Sequence, residues 1–306
     1  MALSIYDDKF ITIYFVLIAG ILGLALGSFL NCVAYRITQG ESFVKGRSKC
    51  TACGHELRAM DLVPVLSWVL LKGRCRYCGE KVSARYPITE CVFAILCIIC
   101  LLKFDLTVMC GRNLVLLSCL FCLSLVDLDS FIIPDGCLIV AVIAWIAGAA
   151  LDFEEYGGLH GIGMNVLAAL IIGGGILAIS LIMDKVLGRD SLGGGDIKLF
   201  AVMALYLGLV GSMFALILAC VLGLLFAAAR KGKSDCECPR EQHQESDGRQ
   251  VDRDIASISA TENKDDYQEE NDGKQIPFGP AIAAATCIML LFGDQAVQWY
   301  MGIIGI

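Results

Sequence analysis

Eight apolar runs, at about 10–33, 87–102, 113–126, 137–151, 162–183, 197–208, 211–229 and 277–293, leave this 306-residue chain very few folds. Several reach the roughly 20 residues that cross a hydrocarbon core as a helix. In lipid an open strand edge has no partner for its N–H and C=O groups, so helices are the economical solution. Hydrophobic residues make up 57% of the chain, which supports the same reading. The sequence therefore predicts an all-α polytopic membrane protein of about eight transmembrane helices. The first run lacks a basic n-region and a small-residue cleavage site before Val33, so it reads as a retained helix.

Charge is unevenly placed. Residues 34–86 hold ten Lys/Arg and four Asp/Glu, whereas residues 231–275 hold seven and thirteen. The net charge of −7 thus describes no single surface, and a basic footprint for nucleic acid is missing. The excess of cations places 34–86 in the cytoplasm. Alternation then puts Asp152, Glu154 and Glu155 outside, and Lys185, Arg189, Arg230, Lys231 and Lys233 inside, all in agreement. Lys103 and Arg112 fall outside and run against the rule. The expected divisions are 1–33, a first transmembrane helix; 34–86, a cytoplasmic loop; 87–229, a transmembrane core; 230–276, an acidic loop; and 277–306, a last helix and tail. The acidic loop has one aromatic residue, Tyr267, and too little apolar surface to fold alone. Its Cys236, Cys238 and His243 are expected to be ordinary loop residues, and its charge suits long-range attraction of a basic substrate.

Sixteen cysteines divide into two groups. Cys32, Cys91, Cys97, Cys100, Cys110, Cys119, Cys122, Cys137, Cys220 and Cys287 lie in or beside apolar runs and read as small hydrophobes. Within the basic loop, Cys50-Thr-Ala-Cys53 and Cys75-Arg-Tyr-Cys78 form two C-x2-C pairs separated by 21 residues, each followed by glycine. Four sulfurs at this spacing match a closed tetrahedral zinc site. A reducing cytoplasm disfavours disulfides. The loop is too polar for a core of its own, so a structural metal would supply folding energy and make a small zinc-knuckle subdomain. His55 is then a bystander. Asp61-Leu-Val-Pro-Val-Leu-Ser-Trp68, between the pairs, has enough apolar surface to dock on the membrane.

The topology also aligns two carboxylates. Asp127 ends the third run and Asp196, after Gly193-Gly-Gly195, begins the sixth, which puts both at one cytoplasmic depth. Intramembrane carboxylates are costly and point to function. Two brought close share a proton, so one can activate water while the other donates to a scissile carbonyl. Asp129 and Asp135 read as a solvated helix end and as a turn or cap residue. Paired aspartates also suit ion or proton transport, and a transporter with a zinc-knuckle loop stays open at this point.

Three motifs together resemble the type IV prepilin peptidases, membrane aspartyl proteases of the GxGD type. They are Gly27-Ser-Phe-Leu-Asn-Cys-Val-Ala-Tyr-Arg36; the zinc loop through Arg74-Cys-Arg-Tyr-Cys-Gly79 and Ser83-Ala-Arg-Tyr-Pro87; and Asp127 with Gly193-Gly-Gly-Asp196-Ile-Lys198. Ile276-Pro-Phe-Gly-Pro280 is a weaker fourth. The resemblance implies a bacterial inner-membrane enzyme that cuts a basic leader from prepilins or type II secretion pseudopilins on the cytoplasmic side, after a glycine. It then implies N-methylation of the new N-terminus, usually phenylalanine, with S-adenosylmethionine. On that resemblance Asp127 and Asp196 are the catalytic pair, and Cys50, Cys53, Cys75 and Cys78 the zinc ligands. Lys198 lies beside them without a chemical role. Residue chemistry offers only Arg85 and Glu90 as weak candidates for cofactor contacts, and a peptidase with an inactive methyltransferase half is the nearest alternative.

Overall fold

The computed structural model describes residues 9–42, 46–154, 157–188, 192–234 and 277–304. Among them there is no β-strand, and apart from the mostly irregular loop between Thr38 and Arg85 they are almost all helical. The helices are α1 (Lys9–Thr38), a 3-10 turn (Ala59–Asp61), α2 (Leu66–Leu70), α3 (Arg85–Phe104), α4 (Val108–Ser130), α5 (Asp135–Leu151), α6 (Gly158–Leu187), α7 (Gly194–Ser234) and α8 (Gly279–Ile304). Five of these, α1, α3, α4, α6 and α7, are long and apolar enough to cross a membrane, whereas α5 and the Gly279–Gly293 part of α8 are shorter apolar helices. This is a multi-pass membrane protein. The expected sixth and seventh runs form one element, α7, broken at Gly208, where φ is +67° and ψ −175°. Such a conformation is cheap only for glycine.

Residues up to Gly223 and from Pro277 onward form one compact unit. The other unit spans Leu224–Ile276, and only its helical continuation to Ser234 is described. The expected acidic loop beyond Ser234, with Cys236, Cys238 and His243, lies outside the described residues.

Within the larger unit α4 is the central helix. Half of its apolar window is buried, against 11% in α1 and α6, and it touches α1, α3, α5 and α8. Leu116, Leu117, Leu120 and Leu123 of α4 pack with Leu199 and Met203 of α7 and Ile282 of α8. A second cluster joins α4 to α1 and α3 through Leu30, Phe93, Cys97, Cys122 and Val126. Lipid tails are as apolar as leucine, so close packing must hold such helices together. Gly23 and Gly27 provide it between α1 and α3: a Cβ on Gly23 would stand 2.6 Å from Ala94 Cα, and one on Gly27 3.0 Å from Glu90 Cα. Asn31, buried in α1, locks the same contact by donating to Thr89 at 2.9 Å.

The two cations that ran against the charge rule have structural work instead. Lys103 Nζ donates to the Leu290 carbonyl at 3.0 Å. Arg112 is 7% exposed, binds Asn113 Oδ1 at 2.8 Å and lies over the Tyr206 ring. A guanidinium satisfied inside the bundle does not act as a free loop charge.

Candidate active site and metal centre

Asp127 sits in the last turn of α4, 5% exposed. The helix ends there because Phe131 takes a left-handed conformation and its N–H returns to the Asp127 carbonyl at 3.0 Å. Asp196 lies in the first turn of α7. The backbone N–H groups of Asp196 and Ile197 both reach the Gly193 carbonyl, at 3.1 and 3.4 Å, and so start the helix. Gly195 passes so close to Ile133, in the link from α4 to α5, that a Cβ would stand 2.9 Å from the isoleucine Cβ. The glycine run thus serves a contact within the chain at Gly195, while Gly194 faces open space.

The Gly195–Ile133 contact sets the start of α7, with Asp196, against the link that follows Asp127. The surroundings of the two carboxylates differ. Asp127 Oδ2 accepts a 2.9 Å hydrogen bond from the Gly279 N–H. Gly279 is the first residue of α8, and its amide is one of the donors that a helix start leaves without an internal partner. A carboxylate from α4 therefore caps α8, where the helix dipole also favours an anion. A Cβ on Gly279 would lie 2.7 Å from that oxygen. Phe278 fixes the approach by packing on Phe200, with ring centroids 6.2 Å apart, and over Gly223. Asp196 Oδ1, in contrast, is buried with no hydrogen-bond partner among the described residues. A buried carboxylate oxygen in that state is an open position for a proton or a water.

The neighbouring aspartates have definite partners. Asp129 is not simply a solvated helix end: Arg85 grips it with two hydrogen bonds of 2.6 and 2.9 Å. This fork joins the start of α3 to α4 two residues beyond Asp127. Asp135 is not a cap, because Pro134 holds the N-cap position of α5. It pairs with Lys198 at 2.8 Å, beside an open groove of about 420 Å³ lined by Leu138, Ile139, Val142, Ile143 and Val202. The role of Gly279 was not legible in the sequence, since its contact spans 152 residues. The only signal was its place in the Pro277-Phe-Gly-Pro280 motif.

The four loop cysteines form the second centre. Their sulfurs all lie within 4.8 Å of one another, and Cys50 Sγ and Cys78 Sγ are 3.9 Å apart. The two halves repeat one design. Cys50 N–H reaches the His55 carbonyl and Cys75 N–H the Glu80 carbonyl, while Gly54 and Gly79 turn back to the cysteine carbonyls. Amides of Cys53 and Ala52 pull the Cys50 thiol down to about 7. The Glu80 amide favours the Cys78 thiolate too, but desolvation and the three other sulfurs push that thiol up to about 12. Four thiols so close ionise together only around a cation, and the cluster could hold a metal ion such as zinc. His55 is no ligand in this arrangement: its ring stacks on Tyr77, with centroids 3.7 Å apart. Asp61 ties the second knuckle to the loop by accepting from Arg76 at 2.6 Å and from Tyr77 at 3.1 Å. Burial raises the Asp61 carboxyl, but bonds from the Arg58 amide, Arg76 and Tyr77 outweigh it and hold the group below the usual carboxylate value.

The weak cofactor candidates are both occupied. Arg85 holds Asp129, and Glu90, 7% exposed, accepts from the Val65 N–H at 2.8 Å. Each keeps further capacity: Arg85 uses two of its five N–H groups on Asp129 and its side chain is 44% exposed, and Val65 engages only one Glu90 oxygen.

Residues 21–104 match the family described as bacterial peptidase A24 N-terminal domain, and residues 114–228 match the type IV leader peptidase family. A protein of Myxococcus xanthus (strain DK1622), named prepilin leader peptidase/N-methyltransferase, is 36% identical over 218 residues, which cover 68% of this chain and 62% of that protein. Proteins of the same name from Aeromonas salmonicida (strain A449) and Bacillus subtilis (strain 168) are 29% and 28% identical, covering 95% and 92% of this chain and 95% and 96% of their own lengths. No solved structure matches.

Proposed function

The chain belongs to the type IV leader peptidase family, and from that membership we propose that it removes the leader of prepilins or pseudopilins at the cytoplasmic face of a bacterial inner membrane. The observation that supports this reading is the bond from the Gly279 amide to Asp127, with Asp196 starting the helix whose Gly195 packs on Ile133 just beyond Asp127. One carboxylate takes a proton from water as the water oxygen bonds to the scissile carbonyl carbon. Its partner donates a proton to the carbonyl oxygen. Collapse then breaks the C–N bond, and the proton passes to the leaving amine. Neither a covalent enzyme intermediate nor a metal is needed in this scheme. The substrate's apolar helix remains in the bilayer throughout, with its basic leader in the cytoplasm.

The second activity is methylation of the freed amine, supported by the match over residues 21–104 and by the names of the relatives. S-adenosylmethionine, when bound, supplies the methyl group. Arg85 and Glu90 are the candidates for its contacts, each already positioned by a partner in the fold. Zinc on Cys50, Cys53, Cys75 and Cys78 is structural, since four thiolates leave no position open for chemistry. The test is co-expression with a prepilin and mass spectrometry of the product. Wild type should yield the shortened, methylated form, and Asp127→Asn and Asp196→Asn, at normal protein levels, only the full-length one. Cleavage surviving in either variant would falsify the aspartate assignment.

A further inference from the structure

The zinc-cluster loop exposes most of what a soluble domain would bury. Among the described residues 46–84, Cys75 is the one buried hydrophobic side chain. Neither the 3-10 turn nor α2 buries any residue. Met60 is 70% exposed, Leu66 54%, Val69 57% and Leu70 71%, with Leu62 and Val63 near 40%. Six large apolar side chains within 11 residues make a ridge that no described residue covers. An exposed cluster of this kind marks an interaction surface.

The depth of the ridge follows from its tether. The Val65 N–H, at the residue preceding α2, donates to Glu90 Oε2 at 2.8 Å. Glu90 is the sixth residue of α3, which has 20 residues. A helix of that length is about 30 Å long, which is the thickness of a hydrocarbon core. Its sixth residue then lies about 7 Å in from the end, and Ile88 beside it leaves an apolar side chain 60% exposed. Val65, the foot of the ridge, therefore stands no higher than the headgroup layer. The turn is also held against its own preference: Val65 has φ +59°, a region costly for a β-branched residue. The Glu90 bond keeps α2 aimed there. Around the ridge the charge is basic, with seven Lys/Arg against three Asp/Glu in residues 46–84. That sign suits anionic headgroups, and basic side chains around an apolar face are how a short helix lies in an interface.

We propose that Met60, Leu62, Leu66, Val69 and Leu70 enter the membrane leaflet on the zinc-cluster side, with anionic phospholipid as the ligand. The subdomain is then anchored at three places, by α1, by α3 and by this ridge, and the metal centre is held flat against the bilayer. The proposal does not depend on either catalytic activity.

Site-specific photo-crosslinking in the full-length protein tests it. A benzophenone amino acid replaces Leu66, Leu70, Ile95 or Thr51 in separate samples reconstituted in vesicles of phosphatidylglycerol and phosphatidylethanolamine. Ile95, a 56% exposed position on α3, is the lipid benchmark, and exposed Thr51 lies off the ridge. Leu66 and Leu70 should give phospholipid adducts within about twofold of Ile95 and at least about fivefold above Thr51. Replacing the anionic lipid by phosphatidylcholine should lower the yield at Leu66 and Leu70 several-fold while leaving Ile95 unchanged. Adducts at Leu66 and Leu70 to a protein, whether a second copy or a substrate, would overturn the proposal. So would a lipid yield no higher than that of Thr51, or one indifferent to the anionic lipid.

Discussion

Replacing Gly279 by alanine puts a carbon 2.7 Å from Asp127 Oδ2 and 3.2 Å from its Cγ. Neither distance is tolerable, so either the carboxylate rotates or the start of α8 withdraws by several tenths of an ångström. Withdrawal is resisted by Phe278, packed against Phe200 and over Gly223. Rotation is resisted by the close walls around a residue that is 5% exposed. Both movements break the 2.9 Å hydrogen bond from the Gly279 amide. A hydrogen bond to a charged group is worth about 1.5–3 kcal/mol. If that interaction orients Asp127 for the chemical step, kcat should fall about 10- to 150-fold, with KM little changed because the amide is already spent on Asp127. Pro280→Ala leaves the Gly279 N–H in place and should stay within about threefold of wild type. The assay is the initial rate of prepilin cleavage by purified enzyme in lipid, with thermal unfolding measured alongside. A Gly279→Ala enzyme with wild-type kcat would refute the idea that the α8 amide positions Asp127, and an unchanged kcat accompanied by a raised KM would move the amide to substrate binding.

Two further outcomes follow from other contacts. Stripping the metal with a chelator should open residues 46–84 to protease while leaving the membrane helices intact, because the loop buries almost nothing besides Cys75; unchanged protease sensitivity would remove the structural role of the cluster. For the Arg85–Asp129 fork, whose side chains are 44% and 39% exposed, a double-mutant cycle on stability should give a coupling of about 0.5–1 kcal/mol. Arg85→Ala should lower cleavage a few-fold, and the exchange Arg85→Asp with Asp129→Arg should recover part of it; equal losses in the single and exchanged variants would show that the pair does not couple α3 to the Asp127 helix.

What could be read from the residues in order, and what could not, separates along a physical line. Hydropathy is summed over contiguous residues, so α1, α3, α4 and α6 were visible to within about five residues of their ends. The break at Gly208 was visible because Gly208 and Gly211 stand close together in a long apolar stretch. The cysteine knuckles were equally local: each C-x2-C-G closes on itself through hydrogen bonds spanning a few residues, so spacing alone carried them. The expectation that Asp127 and Asp196 share one depth took a longer argument, in which charge bias set the direction of each helix. The partners were not reachable that way. Charge counting treats Lys103 and Arg112 as loop cations, because it cannot know that a distant carbonyl and an aromatic ring have claimed them. Asp129 and Asp135 look alike as helix-end acids until packing gives one an arginine from α3 and the other a lysine from α7.

The same line explains why polar groups gather at the helix ends. An apolar helix can hide its middle in lipid, but its ends keep unpaired amides and carbonyls that must find partners. Here the orphan amide of α8 finds a carboxylate at the end of α4, and the glycine start of α7 brings a second carboxylate against the link that follows it. Requirements of folding alone thus place an acid and a donor together at the meeting of α4 and α8. A carboxylate in that setting contributes stability by capping α8, so Asp127→Asn should cost folding as well as activity. The amide side chain of asparagine can still accept from the Gly279 N–H through its oxygen, but without a full charge. Asp127→Asn should therefore lose about 0.5–1.5 kcal/mol of stability, the difference between a charged and a neutral acceptor. Asp196, whose buried Oδ1 has no partner to lose among the described residues, should lose nothing or gain when changed to asparagine, because an unpaired buried carboxylate is a cost to the fold. Thermal unfolding of the two variants side by side decides the matter. Equal destabilisation would mean that both carboxylates are structural caps, whereas a stable Asp196→Asn and a weakened Asp127→Asn would mark Asp196 as the residue kept for its chemistry.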